Sequence, residues 1–200
     1  MADPATNVAP FLYLLGPPGV GKQTVGRALI KILPNARMVD NHLIIDLARA
    51  VFVQDSVVYN EFRAALREAL LKAILNSTEA RGTTFIFTGS HGPRAPAGVR
   101  IARDFERAAA ERGSPFVSVR LSCAYDEHMA RVTDPARVNA PYPKLIDPAR
   151  VTASMGPDSV FRFGCEYEID IDTTGMKPEE VAQKIADYVR GVTDKCETGV

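Results

Sequence analysis

The residues with the clearest chemistry lie near the start of this 200-residue chain. In the segment GPPGVGKQT, Gly16 and Gly21 are five positions apart and Lys22 follows, which is the spacing G-x-x-x-x-G-K. Pro17, Pro18, Gly19 and Val20 fill the turn between them. Glycines there let successive backbone N–H groups curl around phosphate oxygens, a following helix adds its partial positive charge, and the lysine reaches the β- and γ-phosphates. The stretch from Gly16 to Thr24 is therefore expected to hold the phosphates of ATP or GTP. Gln23 stands where the signature asks for a Ser or Thr hydroxyl on Mg²⁺, and Thr24 comes one place later. An amide oxygen is a poorer ligand for a hard cation than a hydroxyl in place. Gln23 or Thr24 is thus the one weak protein contact expected for the metal, with Mg²⁺ carried mostly by nucleotide and water and Thr24 near the α-phosphate.

A second group of residues offers the means to act on something beside those phosphates. Asp40 ends a short apolar run, where a carboxylate can take the proton of an attacking hydroxyl or orient it; the same residue would also cap a helix starting at Asn41 and His42. Asn41 or His42 is expected to supply that cap or a hydrogen bond to the acceptor, and His42 is the second candidate base. Gly89, Ser90 and His91 follow the run TTFIFT and are expected to touch an acceptor molecule, as is Arg63, whose alternative is surface pairing with Glu61 or Glu68. Arg131, Arg137, Lys144 and Arg150 lie in a proline-marked stretch that reads as a lid; Arg131 and Arg137 are the two expected to meet the triphosphate. Arg67 and His128 are expected at the surface.

Those residues need a scaffold that brings them together, and the pattern of the chain supplies one. Phe11 to Leu15 is short and apolar enough for a buried strand; Val25, Ala28, Leu29 and Ile32 then repeat at helical spacing until Pro34-Asn35. A second strand is expected at 36–39 and helices at 42–51 and 57–75, the latter with Phe62, Leu66, Leu70 and Ile74 on its apolar face. Thr83 to Thr88 reads as a central parallel strand, followed by a helix through Ile101 and Phe105, strands at 116–121 and 167–171, and a closing helix through Val181 and Val189. The fold class is α/β: a three-layer arrangement with a central parallel five-stranded sheet between helices. Residues 1–10 are expected as a tail, 11–190 as one domain with a lid at about 126–161, and 191–200 as a second tail.

Composition narrows the function classes. The 24 Lys and Arg balance 24 Asp and Glu, so no overall basic field gathers nucleic acid or an anionic membrane. Three cysteines without a C-x-x-C pair suit neither a disulfide framework nor a zinc site. The N-terminal MADPATNVAP has no secretory pattern, and no apolar run reaches membrane-spanning length. A cytoplasmic protein, monomeric or homodimeric, with a nucleotide and a small molecule as partners, is expected.

At this point the chain resembles the small-molecule kinase branch of the P-loop fold, most closely the shikimate kinase and chloramphenicol phosphotransferase-like group. The resemblance rests on GPPGVGKQTVGRAL, on Met38-Val39-Asp40, on Phe62-Arg63, on TFIFTGSHG and on Asp172-Thr173-Thr174-Gly175, in an order of elements running from Phe11 to Val189. It implies that Asp40 contacts the acceptor hydroxyl, that Arg63 binds an acceptor carboxylate, and that residues 172–175 lie near the adenine. Two departures stand out: Met38 replaces the first acid of the group's D-x-D, and Ser90 and His91 interrupt its glycine loop. Shikimate is accordingly not the expected acceptor. The expected activity is ATP-dependent phosphorylation of a hydroxyl on a small metabolite or antibiotic-like molecule. The alternative is a nucleotide-binding module, switch or ATPase without such activity.

Overall fold

The computed structural model describes residues 8–138, 144–155 and 159–198. Pro141, Pro143 and Pro157 of the expected lid, and residues 1–7 and 199–200 of the expected tails, lie outside the described residues.

Five strands, β1 (Phe11–Leu15), β2 (Ala36–Val39), β3 (Thr84–Gly89), β4 (Phe116–Ser122) and β5 (Tyr167–Asp172), form one sheet in the order β2-β3-β1-β4-β5. Every pairing is parallel, with Leu15 beside Gly89 on one side and Arg120 on the other. Around it run α1 (Lys22–Ile32), α2 (Asn41–Val51), α3 (Val57–Asn76), α4 (Pro96–Arg112), α5 (Tyr125–Thr133), α6 (Pro135–Val138), α7 (Pro148–Thr152) and α8 (Pro178–Thr198). The expected three-layer α/β architecture is the one found. Side chains alternate across a strand, so β1 serves both layers. Leu12 and Leu14 face α1 and α8 in one core with Leu29, Val119 and Ile185. Phe11, Tyr13 and Leu15 face α3 and α4 in the other, with Phe87, Phe105 and Phe116. Because both faces are covered, β1 is buried along its whole length, which is why it reads as an unbroken apolar run.

Local chemistry sets the helix ends near the site. Asp40 accepts from the N–H of His42 and caps α2, and Ser56 accepts from Tyr59 N–H at the start of α3. At the far end of the sheet Arg112 ties several loop carbonyls together, donating to Ala9, Ala80, Arg81 and Thr83, while its guanidinium lies over the Phe11 and Phe85 rings.

Four expectations differ from what is found. The closing helix continues to Thr198 through residues taken for a tail, since Val189 and Val192 go on burying against the sheet. The buried face of α3 carries Tyr59, Arg67, Leu71 and Ile74, so Arg67 is 7% exposed rather than facing solvent, and Phe62, Leu66 and Leu70 are only half-buried. His128 is fully buried on α5, not at the surface. With Val132 also buried, α5 belongs to the packed body, and Phe161 joins the aromatic core, so both ends of the segment 126–161 are anchored.

Candidate functional site

In a parallel sheet of this kind ligands bind beyond the carboxyl ends of the strands. Here the ends of β1, β2 and β3 open into a cavity of about 740 Å³. Its walls carry the turn from Pro18 to Val25, then Asp40, Asn41 and His42, then Thr88, Gly89 and Ser90; Arg131, Arg137 and Lys144 close the remaining side.

The turn takes its shape from glycines and from α5 behind it. Gly19 and Gly21 have φ of 91° and 105°, a left-handed backbone that side chains resist. A Cβ on Gly19 would also lie 2.5 Å from a Val132 methyl. Behind the turn, His128 Nε2 donates to the Pro18 carbonyl at 2.8 Å, and Arg131 donates to the Val20 carbonyl at 3.1 Å. Two carbonyls are thereby drawn back onto α5, away from the cavity side of the turn, while Val20 N–H closes the turn onto Pro17 O at 3.3 Å. Arg131 is further tied to Glu127 and to the hydroxyl and carbonyl of Thr173, joining the turn to the end of β5. Its guanidinium braces the turn. Burial, chiefly, holds the His128 pKa below its usual value, so the neutral Nε2–H tautomer is the one that donates.

Lys22 opens α1 and reaches back across the turn, donating to Gly16 O at 2.7 Å, Pro17 O at 2.9 Å and Ser90 Oγ at 2.8 Å. Ser90 in turn donates to Gly16 O. The end of β3 thus helps to position Lys22, a contact beyond the acceptor contact expected of Ser90. Burial pushes the Lys22 pKa down to about 7, against the pull of the Asp40 charge and with some help from Arg137.

Asp40 does two things with its two oxygens. Oδ1 accepts from His42 N–H at 3.1 Å, His42 Nδ1 at 3.0 Å and Thr88 Oγ1 at 3.0 Å. Oδ2 is buried and has no hydrogen-bond partner. The cap and the cavity carboxylate are therefore the same residue. Burial raises the Asp40 pKa, but the hydrogen bonds from His42 and Thr88 outweigh it and hold the carboxyl down at about 2. Thr88, at the strand end where an acid stands in many P-loop enzymes, is spent on orienting Asp40, and it also accepts from Asn41 N–H.

Other expected acceptor contacts fall elsewhere. Arg63 sits over the Tyr59 ring at 5.3 Å and lines a second cavity, between α3 and α4, together with Arg67 and Arg100. His91 turns inward to the Tyr13 hydroxyl, Nε2 to Oη 2.8 Å, just above Gly89, where a Cβ would meet both groups inside 3.0 Å. Burial, followed by the charges of Arg67, Lys22 and Arg63, lowers the His91 pKa to about 4, so it is neutral. Arg137 lines the main cavity and donates to Leu145 O at 3.0 Å. Gln23 accepts from Lys144 at 3.2 Å, and Thr24 is exposed at the rim. Residues 172–175 form a tight turn: Asp172 accepts from Thr174, and Glu127 accepts from Gly175 N–H. Beside it Met176, Pro178 and Val181 give the cavity an apolar wall. His128 and the bracing role of Arg131 were missed by sequence reasoning; the only trace was the buried spacing of His128 and Val132, four apart.

No family model matches the chain, and no curated protein sequence matches it. Solved structures do. The tunicamycin resistance protein of Deinococcus radiodurans aligns over 90% of this chain and 95% of its own, at 18% identity and a TM-score of 0.59. Shikimate kinase from Acinetobacter baumannii, in complex with shikimate, aligns over 94% and 97%, at 20% identity and 0.57. The APS kinase of Mycobacterium tuberculosis, in complex with AMPPNP and APS, aligns over 92% and 98%, at 16% identity and 0.54. Over nearly its whole length, then, this chain has the fold of the P-loop kinases.

Proposed function

We propose that this chain is an ATP-dependent phosphotransferase acting on a hydroxyl of a small metabolite or antibiotic-like molecule. The observation that carries the reading is one cavity lined by Lys22 and the glycine turn on one side and by Asp40, whose Oδ1 is fixed by His42 and Thr88, on another. In the reaction the acceptor oxygen attacks the γ-phosphorus in line, the bond from that phosphorus to the β–γ bridging oxygen breaks, ADP leaves, and the hydroxyl proton passes to the Asp40 carboxylate. A carboxyl with a pKa of about 2 is a weak base. That suits a loose phosphoryl-transfer transition state, in which the nucleophile needs orientation more than early deprotonation. His42 and Thr88 fix the carboxylate that does the orienting. Arg131 acts by shaping the turn, and Arg137 and Lys144 join Lys22 as cations beside the phosphates. The neighbours' ligands, shikimate and APS, are in line with a small acceptor without specifying this one. The cytosol, where ATP and such acceptors meet, is the place this activity suits.

A second reading, a nucleotide-dependent switch, draws on a different observation. Leu43, Leu47 and Val51 make an exposed stripe on α2, with Val53 and Val57 beside it, the kind of surface a partner protein covers. The two readings part in one experiment. Purified protein is incubated with ATP or GTP, Mg²⁺ or Mn²⁺, and pooled hydroxyl-bearing metabolites and antibiotics, and products are read by mass spectrometry for an added phosphate. A phosphorylated compound whose formation is abolished in Asp40→Ala, with nucleotide binding intact, establishes the phosphotransferase. Transfer retained in Asp40→Ala removes Asp40 from the chemistry, and tight nucleotide binding with no transfer to any compound favours the switch.

A further inference from the structure

Gln23 has its partner on the far side of the cavity. Lys144 Nζ donates to Gln23 Oε1 at 3.2 Å, and the backbone that carries Lys144 is itself held, through the Arg137 bond to Leu145 O. The same wall is poor in groups for a divalent cation. The amide at the signature's hydroxyl position is engaged by an ammonium, Thr24 is exposed at the rim, Met38 stands where β2 would offer a second carboxylate, and Thr88 donates its proton to Asp40. Among the described residues no trio of His, Cys, Asp or Glu side chains is placed to hold a metal. Of the carboxylates that line the cavity, Asp40 is engaged through Oδ1 by His42 and Thr88, and Glu127 by Arg131 and Gly175 N–H, which falls short of the about six oxygen ligands a hard cation wants. The residues present do not fit a metal held by the protein.

Resting on the nucleotide-binding part of the reading above, we infer that Lys144, seated on Gln23, supplies to the β- and γ-phosphates the positive charge that a hydroxyl-held metal supplies at other P-loops. The pairing has a chemical logic. An ammonium has three donors, so one spent on Gln23 leaves two for phosphate oxygens. A neutral amide holds the lysine without cancelling its charge, as a carboxylate would, and it reaches further than a serine hydroxyl. Lys22, Arg49, Arg131 and Arg137 line the same cavity as Lys144, so its described lining carries five cationic side chains against the three carboxylates of Asp40, Glu127 and Asp134.

The test is the affinity of the full chain for ATP by titration calorimetry, in EDTA and in excess MgCl₂, for wild type, Lys144→Met and Gln23→Ser. Wild type is expected to differ by less than about threefold between the two conditions. Lys144→Met, which keeps the apolar stem, is expected to lose about tenfold or more in EDTA, the worth of a charge-assisted phosphate contact, and to regain most of that with Mg²⁺. Gln23→Ser, which frees Lys144 and restores the hydroxyl, is expected to bind more tightly with Mg²⁺ than without. Wild-type ATP binding that collapses in EDTA, or a Lys144→Met variant that matches wild type in EDTA, overturns the inference while leaving nucleotide binding in place. Absence of ATP binding by wild type under both conditions overturns the nucleotide reading itself, and this inference with it.

Discussion

Lys22 is the group whose ionisation should report nucleotide binding directly. In the free protein burial places its pKa at about 7, so roughly half of the molecules carry a neutral amine at neutral pH. Phosphate oxygens next to it favour the ammonium and carry the pKa back to about its ordinary value or above. By linkage, binding then takes up a proton. The uptake works out at about 0.1 proton near pH 6, about 0.5 near pH 7 and close to 1 near pH 8.5, and above about pH 8 the affinity should fall roughly tenfold per pH unit. The sign follows from the direction of the shift: the free protein has lost the proton at high pH, and binding must restore it.

Calorimetry of ATP binding at about pH 8.5 in buffers of differing ionisation enthalpy measures this uptake, since the terminal phosphate, with a pKa near 6, is fully ionised there and contributes nothing. Lys22→Arg is the control, because a guanidinium does not deprotonate; whatever affinity it keeps should show no uptake. Finding no proton uptake by the wild type at pH 8.5, with binding intact, refutes the reasoning. It would mean that Gly16 O, Pro17 O and Ser90 Oγ already hold Lys22 as an ammonium and that their three hydrogen bonds outweigh its burial.

Three further outcomes are expected. His128→Ala removes a fully buried ring and the donor to Pro18 O; it should cost about 2–4 kcal/mol, lower the thermal midpoint by roughly 10 °C, and weaken ATP binding more than an alanine at the neighbouring, half-buried Met129 does. Gly19→Ala sets a Cβ 2.5 Å from Val132 on a left-handed backbone, so calorimetry should show ATP binding lost or reduced by about tenfold or more, with circular dichroism still that of a folded protein. Asp40, with its pKa depressed from 3.8 to about 2, contributes on the order of 2 kcal/mol of stability above about pH 4, and that contribution is lost as pH falls toward 2. Urea melts of wild type and Asp40→Asn should therefore differ by a constant amount above about pH 5 and converge below it, and parallel curves down to pH 2 would sink the assignment.

What was legible in the sequence is what short-range physics writes there. The inner strands β1, β3 and β4 appear as largely apolar runs because both faces of the sheet are covered there, and the phosphate turn appears as a spacing of glycines before a lysine, because the turn, the strand and the helix are consecutive. Asp40 was legible for the same reason, since a cap lies next to the helix it caps. The errors came where a helix turned further than its apolar residues suggested. On α3 the aromatic layer beneath Phe87 and Phe105 accepts Leu71 and Ile74, and this rotation carries Arg67 inward past Leu66 and Leu70.

The parts that distinguish this site from a generic phosphate turn were out of reach of any local pattern. His128 meets Pro18 across 110 positions of sequence, Arg131 meets Val20 across 111, and Lys144 meets Gln23 across 121. Each is a bond between a side chain of the segment after β4 and the segment after β1, and those two strands are neighbours in the sheet only because the order β2-β3-β1-β4-β5 brings them together. Gln23 read alone is a missing ligand, and Lys144 read alone is one basic residue among several. Joined by the fold they become a neutral acceptor holding a cation at the wall of the cavity that the glycine turn lines. A departure from a motif therefore carries functional meaning only once its spatial partner is known, and here the partner of Gln23 is a cation, which is what the inferred relocation of charge from the metal to the protein rests on.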